Sequence, residues 1–463
     1  MEEQTQSKVS LMEGSIILVV MLLIMGFSVI KLALSPEIPI LLVIFLLICW
    51  AKVRHFSWSS INDGIVNGIQ TGIIPIFIFI LIGILISTWI ASGVIPSLMV
   101  FGFHLISAEW FLPSVFIVCT IVGTAIGSAF TVISTVGIAF MGMGITMGMN
   151  PAMVAGAIIS GAIFGDKTSP LSDSTNLASA VVDADLFAHI KNLMWSTIPA
   201  WLTSFVVFIL IGQSGKALSS HSINQTVNSL TSHFSVSAWA FLPIALMFIC
   251  AWIKIPAIFT LFINIVVATG MLFISAPKTK IADVVNIMSN GFVSHTGNQA
   301  VDALLSRGGV ASMMATVSLI ICALALGGLL MKFGIIDSIM IPLSKRLKST
   351  GSLILAVILS GIGVNIFVGE QYLSVILPGN AFKATFEREG LAAVSLSRAL
   401  EDGGTVINYL IPWGVAGVFA ANALKVSTLS YLPFVIFSLA SPIFSILSGY
   451  TGIGIKRSGD KAK

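Results

Sequence analysis

The residues best suited to chemistry lie in one polar segment, residues 165–176, which reads GDKTSPLSDSTN. It follows a long apolar run, because the chain has no charged residue and no histidine between Glu109 and Asp166. A charged side chain that faces lipid costs roughly 2.5 to 3.5 kcal/mol at the centre of a membrane helix. The segment is therefore predicted to face protein or water and to form a binding site within the membrane.

Oxygen atoms dominate this segment, and oxygen ligands suit a hard cation such as sodium. Pro170 has no N–H, so the carbonyl of Asp166 loses its usual helical partner and is expected to be free. Lys167 is predicted to neutralise a carboxylate when the cation is absent. The side chains predicted to bind Na+ and H+ are those of Asp166, Thr168, Ser169, Asp173, Ser174, Thr175 and Asn176.

Proton exchange needs a group that binds either a proton or the cation. Desolvation at membrane depth favours the protonated form of a carboxyl group, so Asp166 or Asp173 could serve. A surface loop of ordinary helix caps is the alternative, since Ser, Thr, Asp and Asn favour N-caps and turns. Lys167 lies between Asp166 and Asp173 in this short segment, which favours a binding site over a surface loop.

A second polar region lies in the other half of the chain. Arg398 is interpreted either as a bidentate contact for a carboxylate substrate or as a neutralising partner of Glu401 or Asp402. His189 and the other five histidines lie in or near predicted loops and are expected to be solvated. The predicted second ion or substrate site comprises Asn365, Glu370, Glu401, Asp402, Thr405 and Asn408.

Membrane helices must position these residues, because 56% of the chain is hydrophobic and only 9% is charged. That composition is far outside the soluble range. We predict an all-α polytopic membrane protein with about 11 to 13 transmembrane or re-entrant helices. Residues 113–136 and 137–164 are predicted to be two single spans. Gly123, Gly127, Gly161 and Gly165 should allow close helix approach.

The order of landmarks repeats along the chain. Two spans open each half, a helix with an Asn-Gly pair follows, and a polar break comes later. Basic residues at 52–54, at 345–348 and in the C-terminal segment indicate cytoplasmic loops. These patterns predict two inverted-topology repeats with broken helices at the midplane.

The predicted division has five parts, with both termini in the cytoplasm: a tail at 1–14, repeats at 15–215 and 238–450, an extracytoplasmic linker at 216–237, and a basic tail at 451–463.

At residues 165–179, GDKTSPLSDSTNLAS, the sequence resembles the signature of the NhaC-type sodium/proton antiporters. The length and the layout of spans agree along nearly the whole chain. The resemblance implies a secondary transporter of the ion-transporter superfamily, without a cofactor, that exchanges Na+ for H+ across a bacterial cytoplasmic membrane. One branch of the family exchanges proton-coupled malate for sodium-coupled lactate, and the signature does not separate the two tasks.

Other classes fit less well. An intramembrane aspartyl protease would also place two carboxylates in apolar helices, but no GxGD pattern occurs. A channel would use rings of groups in a symmetric oligomer, whereas the two halves here are not identical. The four cysteines occur singly, so neither a disulfide framework nor a transition-metal site is predicted. The expected partners are the lipid bilayer, Na+ and H+, with malate and lactate as the alternative cargo and no nucleic acid.

Overall fold

A computed structural model describes residues 9–212 and 220–459 of the chain. Its regular structure is helical, and the only β contacts among these residues are two isolated bridges, Phe292 with Arg307 and Leu391 with Arg457. Parts of the predicted tails and linker, namely residues 1–8, 213–219 and 460–463, lie outside the described residues.

The described residues of the first half form eleven α-helices, besides short π- and 3₁₀-helical segments. They are α1 (Leu11–Gly26), α2 (Glu37–Val53), α3 (Trp58–Gln70), α4 (Ile73–Ala91), α5 (Val94–Leu105), α6 (Phe111–Ile126), α7 (Ala129–Val132), α8 (Ile138–Thr146), α9 (Pro151–Thr168), α10 (Asp173–Val181) and α11 (Leu186–Gly212). A π-helical segment, Ile133–Gly137, joins α7 to α8.

The second half continues the numbering. Its helices are α12 (Ser220–His233), α13 (Phe241–Trp252), α14 (Ala257–Ser275), α15 (Ile281–Asn290), α16 (Gln299–Leu305), α17 (Gly309–Lys332), α18 (Ile335–Arg346), α19 (Thr350–Val368), α20 (Gln371–Arg388), α21 (Ala393–Leu400), α22 (Val415–Leu424), α23 (Thr428–Tyr431) and α24 (Ile436–Thr451). A π-helical turn, Glu401–Thr405, extends α21.

Eight helices in the described residues are long and apolar enough to cross a membrane, and the number rises to 11 if each bent helix pair is one span. One such pair is Ala393–Leu410 with Val415–Leu424, which bends by 44°. The predicted all-α polytopic membrane fold with broken helices is confirmed.

The two single spans predicted at 113–136 and 137–164 are wrong. The chain turns at Gly127, whose φ of +71° is left-handed and suits glycine, so α6 ends in the middle of the first predicted span. It turns again after Thr146, where the side chain of Asn150 caps α9 and Pro151 occupies its first turn. A turn at residues 127–128 therefore joins α6 to α7–α8, and this helix–turn–helix unit is here called hairpin 1, with its tip at the turn.

Helices α19 and α20 form a corresponding hairpin 2, with its tip at residues 369–370. Gly369 has a φ of +74° and ends α19, as Gly127 ends α6. The two glycines are 242 positions apart (369 minus 127), and the same spacing separates two further pairs with positive φ, Gly148 from Gly390 and Asp183 from Lys425. The order of turns thus recurs in the two halves. Their inverted orientation in the membrane stays a prediction.

Small residues bring α6 and α9 together beside the polar segment. A Cβ atom on Gly165 would clash with the carbonyl carbon of Gly123, and one on Gly161 would lie 2.7 Å from Cβ of Cys119. The close approach predicted for these glycines is confirmed. It places the end of α9 against hairpin 1.

Candidate functional site

The first break, residues 169–172, separates α9 from α10 in the middle of the polar segment. The Thr175 hydroxyl donates to the backbone oxygens of Asp166 at 3.2 Å and of Lys167 at 3.1 Å. The N–H of Ser169 also reaches the Asp166 oxygen, at 3.4 Å. The carbonyl that was expected to be free therefore has partners, because a hydroxyl from α10 replaces the N–H that Pro170 lacks.

The Asp166 carboxylate turns towards the N-terminal end of α10. Its Oδ1 accepts from the Ser172 hydroxyl at 2.9 Å, and its Oδ2 accepts from the Ser174 hydroxyl at 3.4 Å. The two hydroxyls are 3.0 Å apart. A hydroxyl can rotate to present its lone pairs to a cation, so these three side chains form a compact set of oxygens that could hold one.

A cavity of about 290 Å³ opens in front of Asp166. Its wall comes from the tip of hairpin 1, the first break, the start of α20, helix α4, and the turn between α13 and α14. The polar residues that line it are Ser128, Thr131, Asp166, Asp173, Ser174, Lys254, Thr260, Gln371 and Tyr372.

Three of the seven predicted ligands line this cavity, namely Asp166, Asp173 and Ser174. The other four, Thr168, Ser169, Thr175 and Asn176, hold the backbone around the break. The Asn176 amide, for example, donates to the Ser172 carbonyl at 2.7 Å and to the Pro170 carbonyl at 3.0 Å. They shape the site without facing the space where a cation could enter.

Sequence reasoning missed the cavity residues contributed by the hairpins, chiefly Ser128, Thr131, Gln371 and Tyr372. The available signals were Gly127, a glycine within an apolar run, and Gly369, which directly precedes Glu370 and Gln371. Gly127 was compatible with simple helix packing, and Gly369 indicated a broken helix without marking a hairpin tip.

Lys167 points away from the cavity and pairs with Asp402 in the second half of the chain. Its Nζ is 2.5 Å from Asp402 Oδ1 and 2.9 Å from the Ser441 hydroxyl, and the Lys167 and Asp402 side chains are 1% and 0% exposed. Ser196 of α11 donates to Asp402 Oδ2 at 2.8 Å. Lys167 thus neutralises a carboxylate 235 residues away in sequence.

Asn365 and Asn408 join hairpin 2 to the second break, residues 406–414. The Asn408 amide donates to Asn365 Oδ1 at 2.7 Å, and the Asn365 amide donates to the Gly404 carbonyl at 2.6 Å. Glu370 is buried at the tip of hairpin 2, where its Oε2 accepts from the N–H of Leu373 at 2.9 Å and caps α20. All three side chains bond to the protein's own backbone.

The other predicted residues of the second half lie behind the cavity. The Thr405 hydroxyl donates to Glu401 Oε2 at 2.6 Å. The Arg398 guanidinium is buried and donates to the Gly454 carbonyl at 3.1 Å and to the Ser448 hydroxyl at 2.8 Å. Of the described residues, those that line the cavity include neither Arg398 nor any member of the predicted second site.

His189 is fully buried, so its expected solvation is wrong. It lies one turn into α11 on the face that carries Asn192 and Ser196, and this face packs against α21. The position of His189 near a loop did not reveal which face of α11 would be buried.

The sequence is similar to those of known antiporters. The Na+/H+ antiporter family matches residues 161–453. The chain is 40% identical to the Na+/H+ antiporter NhaC of Alkalihalophilus pseudofirmus over 95% of both chains, and 40% identical to NhaC of Bacillus subtilis over 90% of this chain and 92% of the relative. It is also 34% identical to the malate-2H+/Na+-lactate antiporter of Bacillus subtilis, over 86% of this chain and 85% of that one. The chain therefore belongs to the Na+/H+ antiporter family.

Proposed function

We propose that this protein exchanges Na+ for H+ across a bacterial cell membrane, with Asp166 as the carboxylate that binds Na+. The observation that supports it best is the Asp166 carboxylate, which lines a cavity at a helix break beside two hydroxyl groups. Membership of an antiporter family and the 40% identity to NhaC proteins support the same activity. The relatives compared above are antiporters, so the protease hypothesis is set aside.

Sodium would bind to the ionised Asp166 carboxylate together with the oxygens of Ser172 and Ser174. Both hydroxyls donate to the carboxylate, and they can turn their lone pairs towards Na+. The bound Na+ neutralises the carboxylate. Since an uncompensated charge within the membrane is costly, the gain of Na+ favours the loss of a proton from the same region, as exchange requires.

The two hairpin tips are suited to controlling access to this site. A Cβ atom on Gly127 would lie 2.9 Å from the carbonyl carbon of Leu171, so the tip of hairpin 1 contacts the first break directly. Movement of the tips relative to the breaks would expose the cavity to one side or the other, in the manner of inverted-repeat carriers. The proposed orientation has both termini in the cytoplasm, as the basic loops indicate.

The test is reconstitution of the purified protein into proteoliposomes that contain a pH-sensitive dye. A sodium gradient should move protons in the wild type, and Asp166→Asn should reduce this movement to the background of empty liposomes. Asp183→Asn is the matched control, because Asp183 is exposed and its left-handed φ of +55° is one that Asn tolerates. Wild-type proton movement by the Asp166→Asn protein would refute the proposed role.

A second candidate function is exchange of proton-coupled malate for sodium-coupled lactate. It is favoured by the 34% identity to an antiporter of that name and by Lys254, which lines the cavity and could attract a carboxylate. The same liposomes distinguish the two functions when malate and lactate are supplied in turn. If internal pH changes only with the organic acids, this second function replaces the first.

A further inference from the structure

Behind the cavity, two buried titratable side chains face each other. Nε2 of His189 lies 3.9 Å from Oε1 of Glu401, and both side chains are 0% exposed. Within the described part of the chain, neither of these two atoms has a hydrogen-bond partner. Buried polar atoms are nearly always paired, so two unpaired atoms that face one another need an explanation.

The remaining polar atoms of both side chains are occupied. Nδ1 of His189 is 2.7 Å from the Ser397 hydroxyl, which also donates to the Val394 carbonyl at 3.2 Å. A hydroxyl has one proton, so with that bond made it accepts from Nδ1–H, and the lone pair of Nε2 is left facing Glu401. Nε2 of His189 and Oε1 of Glu401 are then two acceptors that face each other. A proton bound between them, with a small shift of the side chains, would make the missing hydrogen bond. The geometry suits uptake of a single proton.

The elements that pack around the pair also carry charged side chains. On the neighbouring elements they are Asp166 and Lys167 of α9, Asp173 of α10, Lys191 of α11, Lys383, Glu387 and Arg388 of α20, and Arg398 and Asp402 of α21 and its π turn. Helices α19 and α24 contain no charged residue.

Among these groups, the buried ones set the charge of the pair's surroundings. The positive charges of Lys167 and Arg398 balance the negative charges of Asp402 and of Glu401 in its carboxylate form. Arg398 counts as a cation because the guanidinium group stays protonated in proteins. This cluster is neutral while His189 is neutral. Glu401 is close enough to interact electrostatically with Asp166. An ionised Asp166 adds one negative charge beside this cluster, and a proton on the pair balances it.

We infer that His189 and Glu401 hold the proton that competes with Na+, one layer behind the Na+ site at Asp166. The inference rests on the proposed Na+/H+ exchange. Sodium at Asp166 removes the negative charge that retains the proton on the pair, so the proton leaves. Departure of sodium draws a proton back, and the two sites are coupled by charge without sharing a ligand.

The test measures how the Na+ concentration for half-maximal thermal stabilisation of the purified protein changes between alkaline and acidic pH. In the wild type it should rise at least about tenfold at acidic pH, within the range of site-to-site coupling. In His189→Gln and Glu401→Gln the rise should shrink to about twofold or less, and Glu401→Asp should restore part of it because it keeps a carboxyl group. His104→Gln, the same change at an exposed position, should behave as the wild type.

Two outcomes would overturn the inference. Wild-type pH dependence in both Gln variants would place the proton on Asp166 itself. Absence of any Na+ stabilisation in these variants, at every pH, would show that the pair has a structural role. A wild-type protein whose Na+ response does not depend on pH would instead count against Na+/H+ exchange.

Discussion

At the scale of the residue, the ion pair between Lys167 and Asp402 couples stability to two buried charges. Both side chains are buried, and removing one leaves the other charge uncompensated. Lys167→Met should therefore lower the free energy of unfolding by about 3 to 5 kcal/mol. The double variant with Asp402→Asn should recover much of the loss, since it buries no unpaired charge. Thermal unfolding in detergent measures both effects.

The control for this prediction is the exposed pair of Lys383 with Asp183. Lys383→Met should have little effect on thermal unfolding, because solvent screens exposed pairs. If the Lys167→Met protein were as stable as the double variant, the buried pair would not be the dominant interaction at this position.

Asp166 could be predicted from the sequence because it begins a polar run within apolar chain. The partner of Lys167 could not, since no local pattern indicates which of several distant carboxylates will lie beside it. The same limit explains His189. Its burial depends on contact with α21, more than 200 residues later, where Ser397 lies against its ring.

At the scale of the element, the contact between α6 and α9 fixes the position of the first break. Because a Cβ atom on Gly165 would clash with the backbone of Gly123, Gly165→Ala must separate the two helices. Overpacking of this kind costs about 1 to 3 kcal/mol. We expect a lower thermal unfolding temperature and slower sodium-driven proton movement, because the change displaces Asp166.

Gly270→Ala in α14 is the matched control, since nothing lies within 4 Å of a Cβ atom at that position. Alanine is the better helix former, so this change should leave stability equal or slightly higher. Equal effects of the two substitutions would mean that the α6–α9 contact does not set the site.

The sequence predicted the helices themselves better than the turns between them. Asn150 followed by Pro151 is a typical start of a helix such as α9. The apolar residues on both sides nevertheless led to the prediction of one continuous span at 137–164. A turn at a single glycine, as at Gly127, depends on what packs around it, because a glycine in a continuous helix has the same local sequence. Hairpins therefore require tertiary information.

At the scale of the whole molecule, the inverted arrangement of the halves predicts which loops face each side. Residues 96–113 contain no Lys or Arg, which indicates an extracytoplasmic loop. In a protein without its native cysteines, Glu109→Cys should therefore react with a membrane-impermeant maleimide in intact cells. Lys348→Cys should react only after lysis, because the basic loop at 345–348 is expected in the cytoplasm. Both positions are exposed in the structure. Reaction of both from the same side would exclude inverted topology.

The ion pair across the two halves also bears on how the protein is made. Lys167 leaves the ribosome 235 residues before Asp402, which at bacterial rates of synthesis is a delay of roughly 10 to 50 s. During that time α9 carries a lysine whose final partner does not yet exist. Until the second half is complete, Lys167 must therefore be in contact with water or with another carboxylate. Only then can α9 reach its final depth in the membrane.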